Sequence, residues 1–145
     1  MNSKIQQAIL GGIVATIVMT LVMFIAPMMG MPKMSPPKLL GAMMGFSVTV
    51  GWIMHFMIGI IFALIYAYIL LPLLKGIDNN ALRGGVFGII AFILALVVMM
   101  VMVAVLGKKP PMQGSMAMVL MGAVIGHIVF GIIVGLFVKL QKIVA

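Results

Sequence analysis

The chain has no cysteine, and among its 145 residues it has a single carboxylate, Asp78. Without cysteine there is no disulfide, thiolate nucleophile, iron–sulfur site or lipoprotein anchor. With one acid there is no Asp/Glu pair for general acid–base work, no acidic Mg²⁺ or Ca²⁺ site and no intramembrane carboxylate for a proton relay. Phosphate-cradling and dinucleotide-binding glycine motifs are also missing, which leaves the glycines to packing. Side-chain catalysis therefore has little to stand on, and the chain is expected not to be an enzyme. Charge is scarce as well: 7% of the residues are charged and 66% are hydrophobic.

Four uncharged stretches fill that composition: residues 5–32, 39–74, 84–107 and 110–138. Each exceeds the ~20 apolar residues that a helix needs to cross a bilayer. Backbone polar groups in lipid must be satisfied within their own segment, so each stretch reads as a helix. The expected fold is all-α, an integral membrane four-helix bundle forming one membrane domain over 1–145. Helices are predicted near 5–27, 48–74, 81–107 and 114–140, and this length leaves no room for a soluble domain. Residues 5–26 are too long for a signal peptide, with Pro27 and no small-x-small site behind them, and count as the first span.

The net charge of +8 raises nucleic acid as a partner. The basic residues sit at span ends, however, with no aromatic-basic module, which points to anionic lipid headgroups and to no nucleic acid. Lys4, Lys75, Arg83, Lys139 and Lys142 share one side, and Lys33, Lys38, Lys108 and Lys109 the other. That narrow majority places both termini in the cytoplasm by the positive-inside rule, and the opposite side is called outer here.

Gly76 suits the end of the second helix, and Asp78, Asn79 or Asn80 the cap of the third. The first connection is long enough for a short interfacial helix over 36–45, starting at Pro36-Pro37 with Lys38 snorkelling outward. A repeat is also visible. Gly11-Gly12 recurs as Gly84-Gly85, Pro36-Pro37 as Pro110-Pro111, and His55-x3-Gly59 as His127-x3-Gly131. Two tandem two-helix halves of like orientation imply a pseudo-twofold axis along the membrane normal.

Small residues recur every four positions. Ala8, Gly12, Thr16 and Thr20 share a face of the first helix, Gly51, His55, Gly59 and Ala63 of the second, and Ala123, His127, Gly131 and Gly135 of the fourth. Such strips let helix backbones approach in lipid. Both histidines thus point into protein, as the only ionisable groups inside the spans besides tyrosine. Tyr66 shares the His55 face three turns deeper.

Two chemistries suit these histidines. One is bis-His ligation of haem b, with Gly59 and Gly131 leaving room and outer lysines meeting the propionates. The other is a soft Cu(I) site using His55, His127, Met54 and Met57, because thioethers select Cu(I). Apart from Met1, all seventeen methionines lie in outer halves or outer connections, and residues 58–98 and 122–145 contain none. Flexible methionine also makes adaptable packing surfaces, which is the favoured reading. The repeat sets His55 and His127 at similar depth. Taking Trp52, Tyr66 and Tyr68 as interfacial anchors, and Lys75 and Lys139 as depth markers, separates them by about 12 Å instead. Two packed histidines bonded to Thr16, Thr20 or a carbonyl are favoured over ligands.

The stretch GWIMHFMIGIIFALIYAY (51–68), with APMMGMPKM (26–34) and LLGAMMG (39–45) before it, resembles a family of small uncharacterised bacterial four-span membrane proteins. The resemblance implies the four-span fold and a recurrent His55 environment, and no substrate; the expected location is the bacterial inner membrane. The functional expectation is an accessory, assembly or stabilising subunit that meets the lipid bilayer and other membrane subunits. The alternative is a haem-b electron-transfer or Cu(I)-handling protein.

Overall fold

The computed structural model describes residues 3–111 and 114–139. Lys142, Met112 and the predicted last residue of the fourth helix, at position 140, lie outside the described residues. Among the described residues the chain is helical, with no strand, and four helices are long and apolar enough to cross a membrane. It is a four-helix membrane bundle with one short extra helix.

Helix α1 (Lys4–Ile25) begins at Ser3, whose hydroxyl accepts from the Gln6 amide at 3.3 Å. It tightens into a 3₁₀ turn over Ala26–Met29, where Pro27 interrupts the α pattern and Gly30, at φ 82°, stops it. Helix α2 (Pro36–Met44) opens on its proline pair and ends at left-handed Gly45. It does more than lie at an interface. Pro37, Gly41 and Met43 are buried, and α2 is folded back onto the start of the next helix, where the Pro37 carbonyl occupies the space a Gly51 side chain would need.

Helix α3 (Val48–Leu73) carries a π turn at Tyr66–Leu70, in which the Leu71 amide bonds the Tyr66 carbonyl. Pro72 explains it: the ring crowds the carbonyl four residues back and offers no N–H to it. Gly76 is not a left-handed cap, because its φ is not positive; the chain turns through 74–76 instead. Asn79 is the cap of α4 (Asn80–Leu106), its side-chain oxygen accepting from the Leu82 amide at 3.0 Å. Helix α5 (Met116–Phe137) is capped by Ser115.

The helices pack in the order α2, α3, α1, α5, α4. Glycine decides how closely. Gly12 meets the Gly59 carbonyl and Ile60, while Gly84 and Gly88 lie directly against Gly131 and the His127 carbonyl. Where no side chain intervenes, dispersion between backbones replaces the hydrophobic drive that lipid removes. The α1–α5 contact is extended, whereas α3 and α4 meet chiefly through Tyr66 and Phe87 in the inner half. The two halves of the chain are therefore not packed equivalently.

Candidate functional site: imidazoles and thioethers in the outer half

The Thr16 hydroxyl donates to the Gly12 carbonyl at 2.8 Å and that of Thr20 to the Thr16 carbonyl at 2.7 Å. Each back-bond keeps a polar side chain satisfied inside an apolar helix. The Thr20 oxygen also lies 3.1 Å from His55 Nε2. Its one proton is committed to Thr16, so Nε2–H donates to it and Nδ1 holds the lone pair of neutral His55. The ring is buried, 7% exposed, and is edged by Trp52 and Phe56.

His127 is fixed in the opposite sense. Its Nδ1 is 2.7 Å from the Ala123 carbonyl, which only accepts, so Nδ1–H donates and Nε2 is bare. Phe92 of α4 lies edge-on to it at 5.7 Å between centroids. Each imidazole is thus held by one nitrogen and keeps one lone pair.

The two rings lie at the same level to within about one helical turn. Helix α1 is the common ruler. Thr20 bonds His55, while the flanking Met19 and Met23 pack on Gly126, the residue before His127. The 12 Å separation expected from the anchors does not occur, because the charged markers are not level. Gly135 already lies beside Asn80 and Gly84, so Lys139, four residues on, projects about 6 Å further.

The methionines named with the histidines do not converge on them. Met57 follows His55 by two residues, about 200° around the helix, and is 53% exposed. Met54 is half-buried on a flank. A different set gathers instead. The Met23 methyl and the Met19 chain occupy the space a Gly126 side chain would fill, and Met34 Sδ and the Met31 methyl that of Gly122. Gly122 and Gly126 are one turn apart on α5. Among the described residues, no three His, Cys, Asp or Glu side chains gather.

Arg83 corrects another expectation. Its place at a span end predicts a charge facing headgroups, but it is 2% exposed. Its Nε donates to the Leu74 carbonyl at 3.1 Å, Nη1 to Asn80 Oδ1 at 3.1 Å and Nη2 to the Ile77 carbonyl. It therefore ties the turn between α3 and α4 and is not offered to lipid. The Tyr66 hydroxyl is buried and has no hydrogen-bond partner among the described residues. One signal was available in the sequence: a cation in the first turn of a helix opposes the macrodipole, whereas here it reaches back to the carbonyl end of α3.

Two surface depressions, one bordered by Gln7, Leu136, Phe137 and Lys139 and the other along α4 and α5 from Asn79 to Ile132, involve neither histidine. The outer half of α4 has no buried residue beyond Ala91. A model of a family of unknown function, DUF6789, matches residues 2–142. Neither a curated protein nor a solved structure matches the chain. With all but its extreme ends covered, the four-span chain belongs to the DUF6789 family.

Proposed function

We propose that the protein is a non-enzymatic accessory, assembly or stabilising subunit of a larger membrane complex. It would sit in the bacterial inner membrane with its termini in the cytoplasm. The observation that carries this reading is the outer half of α4. From Phe92 to Leu106 no residue is fully buried, and Met100 there, with Met28, Met29, Met116 and Met121 at the same end, is more than half exposed. Flexible thioethers adapt to a partner surface more readily than branched side chains. The paired Gly12–Gly59 and Gly84–Gly131 approaches also favour a tandem origin for the two halves. Native electrophoresis of mildly solubilised membranes is the test. The protein should migrate with larger partners, and migration only as a monomer or homo-oligomer rules the reading out.

A second reading has one observation in its favour. His127 donates Nδ1–H to a carbonyl and keeps Nε2 bare, the arrangement in which metal-ligating histidines are usually held. His55 and His127 would then serve haem b or Cu(I). An oxidised and a reduced absorption spectrum with metal analysis tests it: a Soret band lost in His127→Ala supports haem, stoichiometric copper without that band supports Cu(I), and a colourless, metal-free protein from supplied cells removes both.

A further inference from the structure

We infer that Met19, Met23, Met31 and Met34, gathered against Gly122 and Gly126 of α5, form a thioether site for a soft monovalent cation, Cu(I) or Ag(I). The site does not use Met54 or Met57, and it does not depend on the subunit reading above. Met34 Sδ stands 2.9 Å from where a Gly122 Cβ would be, and the Met31 methyl 3.3 Å from it. One turn further along α5, the Met23 methyl stands 2.5 Å and the Met19 Cε 3.7 Å from the corresponding point at Gly126. Four methionine side chains from two segments, one by its sulfur and three by the carbons beside it, thus meet one strip of α5 about 6 Å long. Glycine at both positions leaves the strip bare for them.

Packing alone does not require sulfur here. The inner half of the same bundle fills its space with Tyr66, Leu71, Phe87, Phe130 and Val134, and contains no methionine among the described residues. The choice of thioether is confined to one end of the molecule. Thioethers are neutral, soft and without protons to lose, so they suit a d¹⁰ monovalent ion and offer little to Zn²⁺ or Mg²⁺. Charge selects in the same direction: Lys33, Lys38, Lys108 and Lys109 surround that end and repel multiply charged cations more strongly. An entry route is built into the chain. Met28 and Met29, 86% and 82% exposed, form the turn that joins Met23 to Met31, so an ion passes from open thioethers to enclosed ones by ligand exchange.

The full-length protein in detergent is titrated with Ag(I), and with Cu(I) buffered by a colorimetric chelator in reducing, thiol-free solution. The expected result is one ion per chain with an all-sulfur first shell in copper X-ray absorption. Met23→Leu/Met34→Leu should weaken binding by about tenfold or more. Met57→Leu/Met100→Leu, on outward-facing positions, should leave it unchanged. Leucine conserves volume, and far-UV circular dichroism checks that the helices persist. If the double variant loses helix, the single Met34→Leu change and the sulfur shell of the unaltered protein decide. Absence of binding, a nitrogen or oxygen shell, or equal affinity in the Met23/Met34 and Met57/Met100 variants would overturn the inference.

Discussion

Gly84 and Gly85 are neighbours on one helix, and the structure assigns them opposite tolerance to a single methyl group. A Cβ at Gly84 is driven into the Gly131 carbonyl, with Ile132 Cα at 2.9 Å. At Gly85 the nearest heavy atom is Ile132 Cγ1, 3.8 Å away, an ordinary contact. Overpacking typically costs about 1–3 kcal/mol, and backbone obstacles that cannot rotate away put Gly84→Ala at the upper end. Gly85→Ala meets no such obstacle and removes backbone freedom from the unfolded chain, a gain of up to ~1 kcal/mol. The difference is about 3 kcal/mol or more, roughly a hundredfold in the folding equilibrium. Because both residues occupy the first turns of α4, helix propensity and lipid depth nearly cancel between them. The assay is unfolding by sodium dodecyl sulfate in mixed micelles, followed by far-UV circular dichroism. Gly84→Ala should unfold at a clearly lower detergent fraction than the parent, and Gly85→Ala at the same fraction or higher. Coincident transitions for the two variants would refute close backbone packing of α4 on α5.

Arg83→Met should destabilise the bundle by several kcal/mol in the same assay, since it strips donors from the Leu74 and Ile77 carbonyls; Arg83→Lys, with one point charge for three acceptors, should recover only part of the loss. In the folded protein Arg83 should also resist phenylglyoxal, and rapid modification would place it at the surface. Thr20→Val keeps the shape but leaves His55 Nε2–H without its acceptor, a loss of about 0.6–1 kcal/mol on scales measured for buried and intramembrane hydrogen bonds; unchanged unfolding would mean that His55 finds another partner. Cysteines introduced at Ser3 and Asn79 should react with an impermeant reagent from one side of the membrane and a cysteine at Ser35 from the other. Labelling of positions 3 and 79 from opposite sides is incompatible with four spans.

Local rules were enough for the spans and most of their ends. Ser3, Asn79 and Ser115 cap because a short polar side chain reaches an amide three residues on, which needs no tertiary partner. Gly76 misled for the same local reason, since a glycine near a helix end is usually a left-handed cap, whereas Pro72 had already ended α3 through a π turn. The small-residue strips indicated which faces pack, but not which helix each face meets.

The sequence by itself determined that this is a membrane protein of four helices with a proline-initiated short helix between the first two. Those features follow from uncharged length and from backbone groups that must bond within their own segment in lipid. Only the tertiary structure decided that α1 lies between α3 and α5, that Arg83 faces inward, and that His55 and His127 share a level. It also set Met19 and Met23 against Gly126 and Met31 and Met34 against Gly122, and left Met57 facing outward. Helical spacing specifies the angle of a side chain about its own axis. The register of one helix against another depends on which glycines allow contact, and that is a property of the pair.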